Sequence, residues 1–434
     1  MSVLLFVLGV LLFAVGMATS IALHEVGHMW PAKRFGVKVS QYFVGFGRTV
    51  WSTRRGETEY GLKALPLGGY VKLVGMLPPA KDDPTGQPRQ MTTGLLGQLI
   101  SDARAAEAEH ISPGDEPRLF YRLPWWKKVI VMAGGPMVNI LIAFVLFACL
   151  FGFHGNPEKV TTTVGTVSRC VVPSTEANRV CTDKDPAAPA AMAGLRPGDK
   201  LVSFNGTPVT SWRQMVDLVR DNEAGRAVIV YERDGKQRTT VTNTVVNKVN
   251  ALDGTEKTLK AGFLGLSPQV LMVKHGPLWT IGQMGVMTKD TVVALSQFPV
   301  KVWGVAKAIV GVQERAQDSP ISVVGAGRIA GEVSSDRTSP LADRLWFLVT
   351  LLGGLNLFLG MFNLVPLLPL DGGHIAGALY EALRRGWARL RRLPDPGYVD
   401  VAKLLPVAYV VASVLLVMGM VLIVGDLVAP VTIS

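Results

Sequence analysis

The segment HEVGH, residues 24–28, has the residue types and spacing from which chemistry is most readily inferred. Positions i and i+4 lie on one face of an α-helix, so His24 and His28 can offer ring nitrogens to a single tetrahedral Zn²⁺ ion. Glu25 would project beside the open coordination position, where a carboxylate can accept a proton from water. The pattern therefore predicts a catalytic zinc site.

An uncharged apolar run, residues 3–23, precedes this motif. As a helix with about 1.5 Å rise per residue, the run is roughly 30 Å long, which is the thickness of one hydrocarbon core. A cleavable signal peptide is the alternative, but the run lacks a basic n-region, is too long, and would place HEVGH across the cleavage site. Ionisable residues near membrane depth are costly and usually functional, which favours a metal site over a chance pentapeptide with two buried histidines.

A catalytic zinc ion needs a third protein ligand. The metzincin continuation requires glycine at position 31 and histidine at position 34, but the chain has Pro31 and Arg34, which excludes that class. Glu57 and Glu59 could imitate the downstream glutamate ligand of a soluble zincin. They lie in a Gly-bounded polar turn rather than on a helix, so they are the weaker alternative.

Asp371, in FNLVPLLPLDGGH, is the stronger candidate for the third ligand. It follows a later apolar run, which the topology brings down on the side of the membrane where the first run ends. Pro366 and Pro369 remove backbone donors and open the helix, while Gly372 and Gly373 permit a turn through which the carboxylate reaches the metal. The alternative is a helix-terminating Pro/Gly cluster with a solvated aspartate.

The overall composition is that of a membrane protein with soluble parts. Of 434 residues, 49% are hydrophobic, and the mean hydropathy is +0.31, which disfavours a purely soluble enzyme. The formal net charge of +11 could suggest nucleic acid, but Lys and Arg lie beside apolar runs and no nucleic-acid motif accompanies them. The basic residues therefore indicate membrane orientation, with the lipid bilayer as a partner and no nucleic acid.

Four apolar runs and the distribution of Lys and Arg predict the topology. Basic residues near the span ends place residues 31–128 and 374–403 on the cytoplasmic side of a bacterial plasma membrane. The predicted segments are, in chain order, a first span with the zinc motif (1–30), a cytoplasmic β-loop region with a flexible insertion (31–128), a second span (129–153), an extracytoplasmic domain (155–270), extracytoplasmic membrane-surface helices (271–344), a third span with the LDGG motif (345–373), a cytoplasmic amphipathic helix (374–403) and a fourth span (404–428).

The extracytoplasmic segment alternates strands with one helix and has turn signals at RPGD, NG and DG. It resembles a PDZ domain, which binds peptides by strand addition. Val164 and Gly165, in TVGTVS, could line the peptide groove; a domain used only as a size filter or plug is the alternative. Cys170 and Cys181 flank an insertion and face the oxidising compartment, where they could form a disulfide.

Three motifs together resemble the signatures of the site-2 protease family of intramembrane zinc metalloproteases. They are HEVGH, AGGPMVN at 133–139 and FNLVPLLPLDGG at 362–373, in the order of the family. Within that family, the chain resembles in particular the bacterial, four-span, single-PDZ branch and its actinobacterial members. The resemblance implies one zinc ion per chain and the following roles: zinc ligands His24, His28 and Asp371; general base Glu25; substrate-binding residues Asn139, Asn363 and Pro366.

Two further inferences concern the residues around this site. The segments VSQYFVGFGRTVWS and ETEYGLKALPLGGYVKLVG indicate short apolar strands, to whose edge an extended substrate could add. In the family these strands form a membrane-associated β-sheet, which makes Gly45, Gly47, Gly68 and Gly69 candidate substrate contacts; an ordinary cytoplasmic sheet is the alternative. His374 is expected to be a polar residue of the cytoplasmic turn, because three ligands and a water already fill a zinc site.

The sequence thus predicts a polytopic α-helical membrane protein with four transmembrane helices, a membrane-associated β-sheet and an extracytoplasmic α+β PDZ domain. The active site would lie toward the cytoplasmic side. The function implied is an intramembrane zinc endopeptidase that cuts single-span membrane proteins, such as anti-sigma factors or remnant signal peptides, in regulated intramembrane proteolysis. A catalytically silent membrane-anchored PDZ scaffold is the rival hypothesis, and the intact Glu25 argues against it, since a scaffold needs no base beside a metal.

Overall fold

A computed structural model describes residues 2–78, 95–108, 111–172, 181–182, 184–250, 258–336 and 339–431. The chain forms two compact units. The membrane unit combines Met1–Leu150 with Gly276–Ile433, and the β domain is Phe151–His275. Parts of two predicted insertions, the flexible one within residues 77–118 and the one between Cys170 and Cys181, lie outside the described residues.

Helices make up most of the membrane unit, and strands make up most of the β domain. The helices are α1 (Ser2–Arg34), α2 (Leu95–Ala108), α3 (Trp125–Cys149), α4 (Pro189–Met192), α5 (Trp212–Asp221), α6 (Pro277–Ile309), α7 (Val323–Ser335), α8 (Leu341–Asn363), α9 (Asp371–Leu390) and α10 (Leu405–Val428). The strands are β1 (Val39–Arg55), β2 (Thr58–Leu73), β3 (Asn156–Val167), β4 (Lys200–Phe204), β5 (Thr207–Pro208), β6 (Arg226–Arg233), β7 (Lys236–Asn243), β8 (Val245–Asn250), β9 (Thr258–Phe263) and β10 (Leu266–Val273).

Five helical segments among the described residues are long and apolar enough to cross a membrane. They are Val3–Arg34, Trp125–His154, Pro277–Ile309, Leu341–Asn363 and Val401–Val428. Four of them fall on the predicted spans. The fifth, α6, lies in the region expected to hold membrane-surface helices, and its hydropathy of 1.2 is the lowest of the five. The chain is therefore a polytopic membrane protein with a β domain.

Glycines allow the central helices of the membrane unit to pack so closely that their backbones are in contact. A Cβ at Gly134 of α3 would overlap the carbonyl oxygen of Gly27 in α1, and a Cβ at Gly27 would overlap that of Gly134. On the other side of α3, a Cβ at Gly360 of α8 would lie 3.0 Å from the carbonyl oxygen of Pro136. Small residues at such contacts are typical of helix pairs in membranes. The HEVGH segment is thus packed directly against AGGP.

Helix α7 covers part of α1. Phe13 of α1 and the α7 residues Ala326 and Ala330 belong to one buried apolar cluster. Farther along, a Cβ at Gly331 would come within 2.6 Å of the Phe6 ring. Small side chains on α7 therefore bring it close to the helix that carries the histidine pair.

Strands β1 and β2 fold into a small sheet whose edge is the segment 69–72. Residues 41–44 pair with 69–72 on one side and with 59–62 on the other. Within the described part of the chain, segment 69–72 has no strand partner on its second side. The bends between these segments contain Gly45 and Gly47, which have positive φ angles of +95° and +85° that side chains disfavour.

A buried ion pair joins α3 to α9. Lys128 Nζ lies 2.7 Å from Glu381 Oε2, and the two residues are only 7% and 1% exposed. Removing one partner of a buried pair leaves an uncompensated charge, so such a pair resists separation. Since α9 begins with Asp371, the pair also restrains the residue predicted to be the third ligand.

The β domain contains a sheet with the strand order β10-β3-β4-β6-β7, with β5 paired to β4. Its apolar core is formed by strand residues such as Leu201 and Ile229, together with Met215 of α5. Strands β8 and β9 form a separate antiparallel hairpin. The disulfide between Cys170 and Cys181 is formed, with the Cα atoms 6.0 Å apart.

The predicted peptide groove at Val164 and Gly165 differs from the structure. Val164 is 1% exposed and belongs to the core, and its backbone bonds with Asp199 and Gly198. Gly165 faces β10 so closely that a Cβ would overlap the carbonyl oxygen of Pro268. Strand β3 therefore offers no edge to a peptide, because it is already flanked on both sides.

An apolar groove lies instead between α5 and the start of β10, the outer strand of the sheet. The groove has a volume of about 150 Å³. It is lined by Trp212, Met215, Val216, Val219, Arg220, Val249 and residues 262–266. The strand edge available to a peptide is thus one strand away from the predicted one.

Replacement of Gly134 by alanine should force α1 and α3 apart, because the added Cβ would meet the Gly27 carbonyl oxygen. Overpacking of this kind costs about 1–3 kcal/mol, and we expect the Tm of the detergent-solubilised protein to fall by a few degrees. Gly354→Ala in α8 is the matched control, since no atom lies within 4 Å of a Cβ at that position. An unchanged Tm for Gly134→Ala would contradict the backbone contact.

Candidate zinc centre and active site

The three predicted ligands meet at one point of the membrane unit. His24 Nε2 and His28 Nε2 are 3.2 Å apart, and they lie 3.5 Å and 3.3 Å from Asp371 Oδ2. A tetrahedral zinc ion with ligand bonds of about 2.0–2.2 Å requires ligand atoms to be separated by about 3.3–3.6 Å. The donor set and its spacing therefore fit one zinc ion. Among the described residues, these three form the only cluster of His, Cys, Asp or Glu with this geometry.

The third ligand reaches the histidines because the chain breaks between α8 and α9. Helix α8 ends at Asn363, and Asp371 is the first residue of α9. A Cβ at Gly372 would overlap the carbonyl oxygen of Val365, and one at Gly373 would lie 2.6 Å from the backbone nitrogen of Leu368. The two glycines are therefore needed for close packing of the preceding loop on the first turn of α9, rather than for an unusual backbone angle.

The backbone of α3 orients the histidine ligands. His28 Nδ1 lies 2.9 Å from the carbonyl oxygen of Val131 and donates to it, which leaves Nε2 free for a metal. Gly135 faces both rings: a Cβ there would overlap His28 Nε2 and lie 2.7 Å from His24 Nε2. Sequence reasoning missed both α3 residues, although the double glycine of AGGP was a visible signal.

Glu25 lies beside the ligands and contacts the edge of the small sheet. It is 9% exposed, and the backbone amide of Val71 faces its carboxylate. A Cβ at Gly69 would be 3.0 Å from Glu25 Cγ. The Glu25 side chain therefore packs against segment 69–72, next to the position that a metal would occupy.

A cavity of about 600 Å³ opens at this centre. The three ligands and Glu25 line it, together with the predicted residues Gly68, Gly69, Asn139 and Asn363. His374, expected in a cytoplasmic turn, also lines the cavity from the first turn of α9. Asn139 is 3% exposed, and its Oδ1 has no hydrogen-bond partner among the described residues. One residue of the cavity wall thus has an acceptor without a protein partner in the described part of the chain.

Three of the predicted substrate contacts lie elsewhere. Pro366 is exposed in the loop between α8 and α9 and does not line the cavity. Gly45 and Gly47 lie at the bend of the small sheet, where a Cβ at Gly45 would be 2.7 Å from the carbonyl oxygen of Leu65. These two glycines shape the sheet, and any effect on a substrate would be indirect.

The alternative glutamate ligand is engaged in another interaction. Glu57 receives two hydrogen bonds from Arg118, at 2.8 Å and 2.6 Å. The Arg118 guanidinium holds the pKa of the Glu57 carboxyl below its usual value. Glu59 lies in β2 and is hydrogen-bonded to Gln41. Neither carboxylate belongs to the cluster of His24, His28 and Asp371.

Loss of the aspartate should abolish tight zinc binding. We expect Asp371→Ala to weaken zinc affinity more than about 100-fold, because only two of the three protein donors of a catalytic zinc site would remain. Metal analysis of the purified protein, with zinc competition against a chelator, measures the change. Asp395→Ala removes a carboxylate that is 67% exposed and should leave the zinc content at one per chain. Full zinc retention by Asp371→Ala would contradict the assigned ligand.

Comparisons with known proteins agree with this geometry. The profile of Peptidase family M50 matches residues 12–392. The chain is 36% identical over 440 residues to "Zinc metalloprotease Rip1" of Mycobacterium tuberculosis, covering 99% of each protein. It is 35% identical over 444 residues to the protein of that name in Mycolicibacterium smegmatis, covering 99% of this chain and 100% of the relative. "Metalloprotease MmpA" of Caulobacter vibrioides is 27% identical over 395 residues, covering 86% of each. The chain therefore belongs to Peptidase family M50, the site-2 proteases, and is a zinc metalloprotease of that type.

Proposed function

We propose that this protein is an intramembrane endopeptidase that hydrolyses peptide bonds in transmembrane segments of single-span membrane proteins. The observation that carries the proposal is the position of Glu25, which lies next to three converging zinc ligands on the wall of a large cavity. That cavity lies among helices apolar enough to span the bilayer. A silent scaffold has no need for a buried carboxylate at this position, since burying a charge is costly.

In the proposed reaction, Glu25 accepts a proton from the attacking water and returns it to the leaving amine. Zinc, when bound by His24, His28 and Asp371, supplies the Lewis acid that activates the water and the substrate carbonyl. Segment 69–72 packs against the Glu25 side chain, since a Cβ at Gly69 would be 3.0 Å from Glu25 Cγ. The base is thereby positioned before a substrate arrives.

A transmembrane substrate must be unwound locally, because the carbonyl to be attacked is hydrogen-bonded within a helix. We propose that the released strand of substrate adds to segment 69–72, whose second side has no strand partner in the described chain. Gly68 and Gly69 line the cavity beside this edge. This places the scissile bond near Glu25, which contacts the same segment.

Polar side chains in the cavity provide replacement partners for the unwound substrate. Asn139 offers the free Oδ1 acceptor, and Asn363 lies on the cavity wall at the end of α8. We assign Pro366 a different role, since it is exposed in the following loop. There it keeps the chain from continuing as a helix and so helps Asp371 to reach the ligands.

The proposed location is a bacterial plasma membrane, with the β domain extracytoplasmic and the active site toward the cytoplasm. The distribution of Lys and Arg supports this orientation. The disulfide between Cys170 and Cys181 supports it independently, because disulfides persist in oxidising compartments. We retain four spans, with α6 along the membrane surface, as the proposed topology. Anti-sigma factors and remnant signal peptides remain the substrate class that the family resemblance implies, in regulated intramembrane proteolysis.

We further propose that the β domain is a PDZ domain that binds a peptide. The supporting observation is the apolar groove between α5 and β10, where an outer strand lies next to a helix. A peptide could pair with the β10 edge and place a side chain among Met215 and Val216. A size filter that binds no peptide is the alternative.

The enzyme hypothesis is tested with Glu25→Gln. This variant keeps the size of the side chain but removes the base, so cleavage of a tagged single-span substrate should fall by about 10²–10⁴-fold while zinc remains bound. The exposed Glu314 provides the control, and Glu314→Gln should cleave normally. Equal cleavage by wild type and Glu25→Gln would refute the assigned base, and absence of cleavage by the wild type would favour the scaffold.

The peptide hypothesis is tested with a phage-displayed library of C-terminal peptides and the full-length protein. We expect selection of peptides with apolar ends, whose binding is lost in Val216→Glu because a charge then lies in the apolar groove. Arg213→Glu, at a position of α5 that is 64% exposed and not part of the groove, should bind as the wild type does. If no peptide is selected, the domain acts as a filter; if Val216→Glu binds equally, the peptide does not occupy this groove.

A further inference from the structure

A buried ion pair in the membrane unit has no role in the proposed reaction. Arg315 Nη2 lies 2.8 Å from Asp426 Oδ1, and the two side chains are only 4% and 3% exposed. Asp426 is the one charged residue in the sequence of α10, which is otherwise apolar. Ionisable residues inside an apolar helix are costly, and they are usually retained for function.

Asp426 holds the start of α7. Its second oxygen, Oδ2, accepts a hydrogen bond of 2.6 Å from the backbone amide of Ser322, the residue that precedes α7. Gly325, in the first turn, leaves room for the carboxylate, since a Cβ there would lie 2.5 Å from Asp426 Cγ. A carboxylate at a helix N-terminus is also favoured by the helix dipole. The end of α10 is therefore attached to the beginning of α7.

Arg315 completes this attachment from the segment between α6 and α7. Its Nη1 donates to the carbonyl oxygen of Ala429 at 3.0 Å, and its Nη2 donates to that of Pro320 at 2.8 Å. The Nε atom is 3.2 Å from Ser319 Oγ. One guanidinium thus connects the end of α10 with the loop that leads into α7. We call the group formed by Arg315, Asp426 and Ser322 the α7 joint.

The joint lies next to the catalytic cavity. Val323, the first residue of α7 and the neighbour of Ser322, lines that cavity together with Glu25 and Asp371. The following turns of α7 pack through Ala326 and Ala330 on the helix that carries the histidine ligands. A displacement of the first turn of α7 would consequently change the cavity wall and leave the ligand set in place.

We propose that Asp426 is a positioning residue for substrate entry. Together with Arg315 it fixes the first turn of α7 and thereby sets the width of the cavity at Val323. Because α10 packs on α6 through Val302, Val305 and Leu422, a shift of these two helices is transmitted to the cavity wall through the joint. The part of the proposal that concerns a substrate rests on the proposed protease function, whereas the part that concerns the cavity wall does not.

The position of the first turn of α7 in the cavity wall is tested by the reactivity of a thiol placed there. The full-length, zinc-loaded protein carries Val323→Cys, with Cys149→Ser to remove the free cysteine, and is modified with a water-soluble maleimide. Adding Asp426→Asn leaves Arg315 buried without its charged partner, and we expect the modification rate to rise by about tenfold as the first turn opens. Asp318→Asn is the matched control, because Asp318 is 75% exposed and pairs with Lys301 on the surface.

A second pair of variants opens the joint without changing any charge. In Gly325→Ala the added Cβ would displace the Asp426 carboxylate, so the rate should rise as in Asp426→Asn. In Gly327→Ala the nearest atom, on Phe13, is 3.9 Å from the Cβ, and the rate should stay at the parental value. This pair keeps the test informative if Asp426→Asn does not fold.

Substrate cleavage separates positioning from a purely structural role. In the variants without Val323→Cys, opening of the joint should raise KM for a single-span substrate several-fold, with zinc content unchanged and a smaller effect on kcat. Equal thiol reactivity in Gly325→Ala and Gly327→Ala would overturn the proposal. A higher reactivity with unchanged KM would overturn the role in substrate entry. A wild type that cleaves nothing would refute the protease function but not the thiol result.

Discussion

The structure depends on the contact between α1 and α3, whose backbones touch without side chains between them. Hydrolysis requires polar side chains and water at one point. In an apolar helix bundle, only close packing of the helices can hold such side chains in position. The glycines of AGGP provide this support, because they let α3 approach the HEVGH turn closely enough for the Val131 carbonyl to orient His28. A single methyl group at Gly135 would occupy the space of the histidine rings. Ligand geometry in this protein is therefore set by the absence of side chains on the neighbouring helix.

The sheet edge and the base form one structural unit. The backbone amide of Val71 faces the Glu25 carboxylate, and Gly69 lies against the same side chain. Pairing of an extended segment with this edge would therefore act on the carboxylate as well as on the substrate. This arrangement explains why a small sheet outside the helix bundle has glycines at positions that face the catalytic cavity.

Local patterns in the sequence predicted the features that depend on local geometry. The i, i+4 spacing of HEVGH places two histidines on one helix face, and the proline and glycine positions around Asp371 mark a break in the chain. Features that depend on long-range packing were not predictable in this way. Neither the contact of the Val131 carbonyl with His28 nor the space beside Gly135 produces a periodic pattern in the sequence. The strand TVGTVS was recognisable, yet the fact that β10 rather than β3 is the outer strand follows only from the order of the sheet. Helix α6 has the lowest hydropathy of the five candidate spans, and the sequence pattern therefore indicated a membrane-surface helix rather than a span.

The buried ion pair of Lys128 and Glu381 limits where the chain can gain or lose residues. Helix α9 is held at its first residue by the histidines and at Glu381 by α3. Adding or deleting one residue between these two points would rotate one of them by about 100° around the helix axis. The register of α9 is therefore fixed at both ends, so evolutionary insertions should be tolerated in the loops that connect the elements and eliminated within this helix.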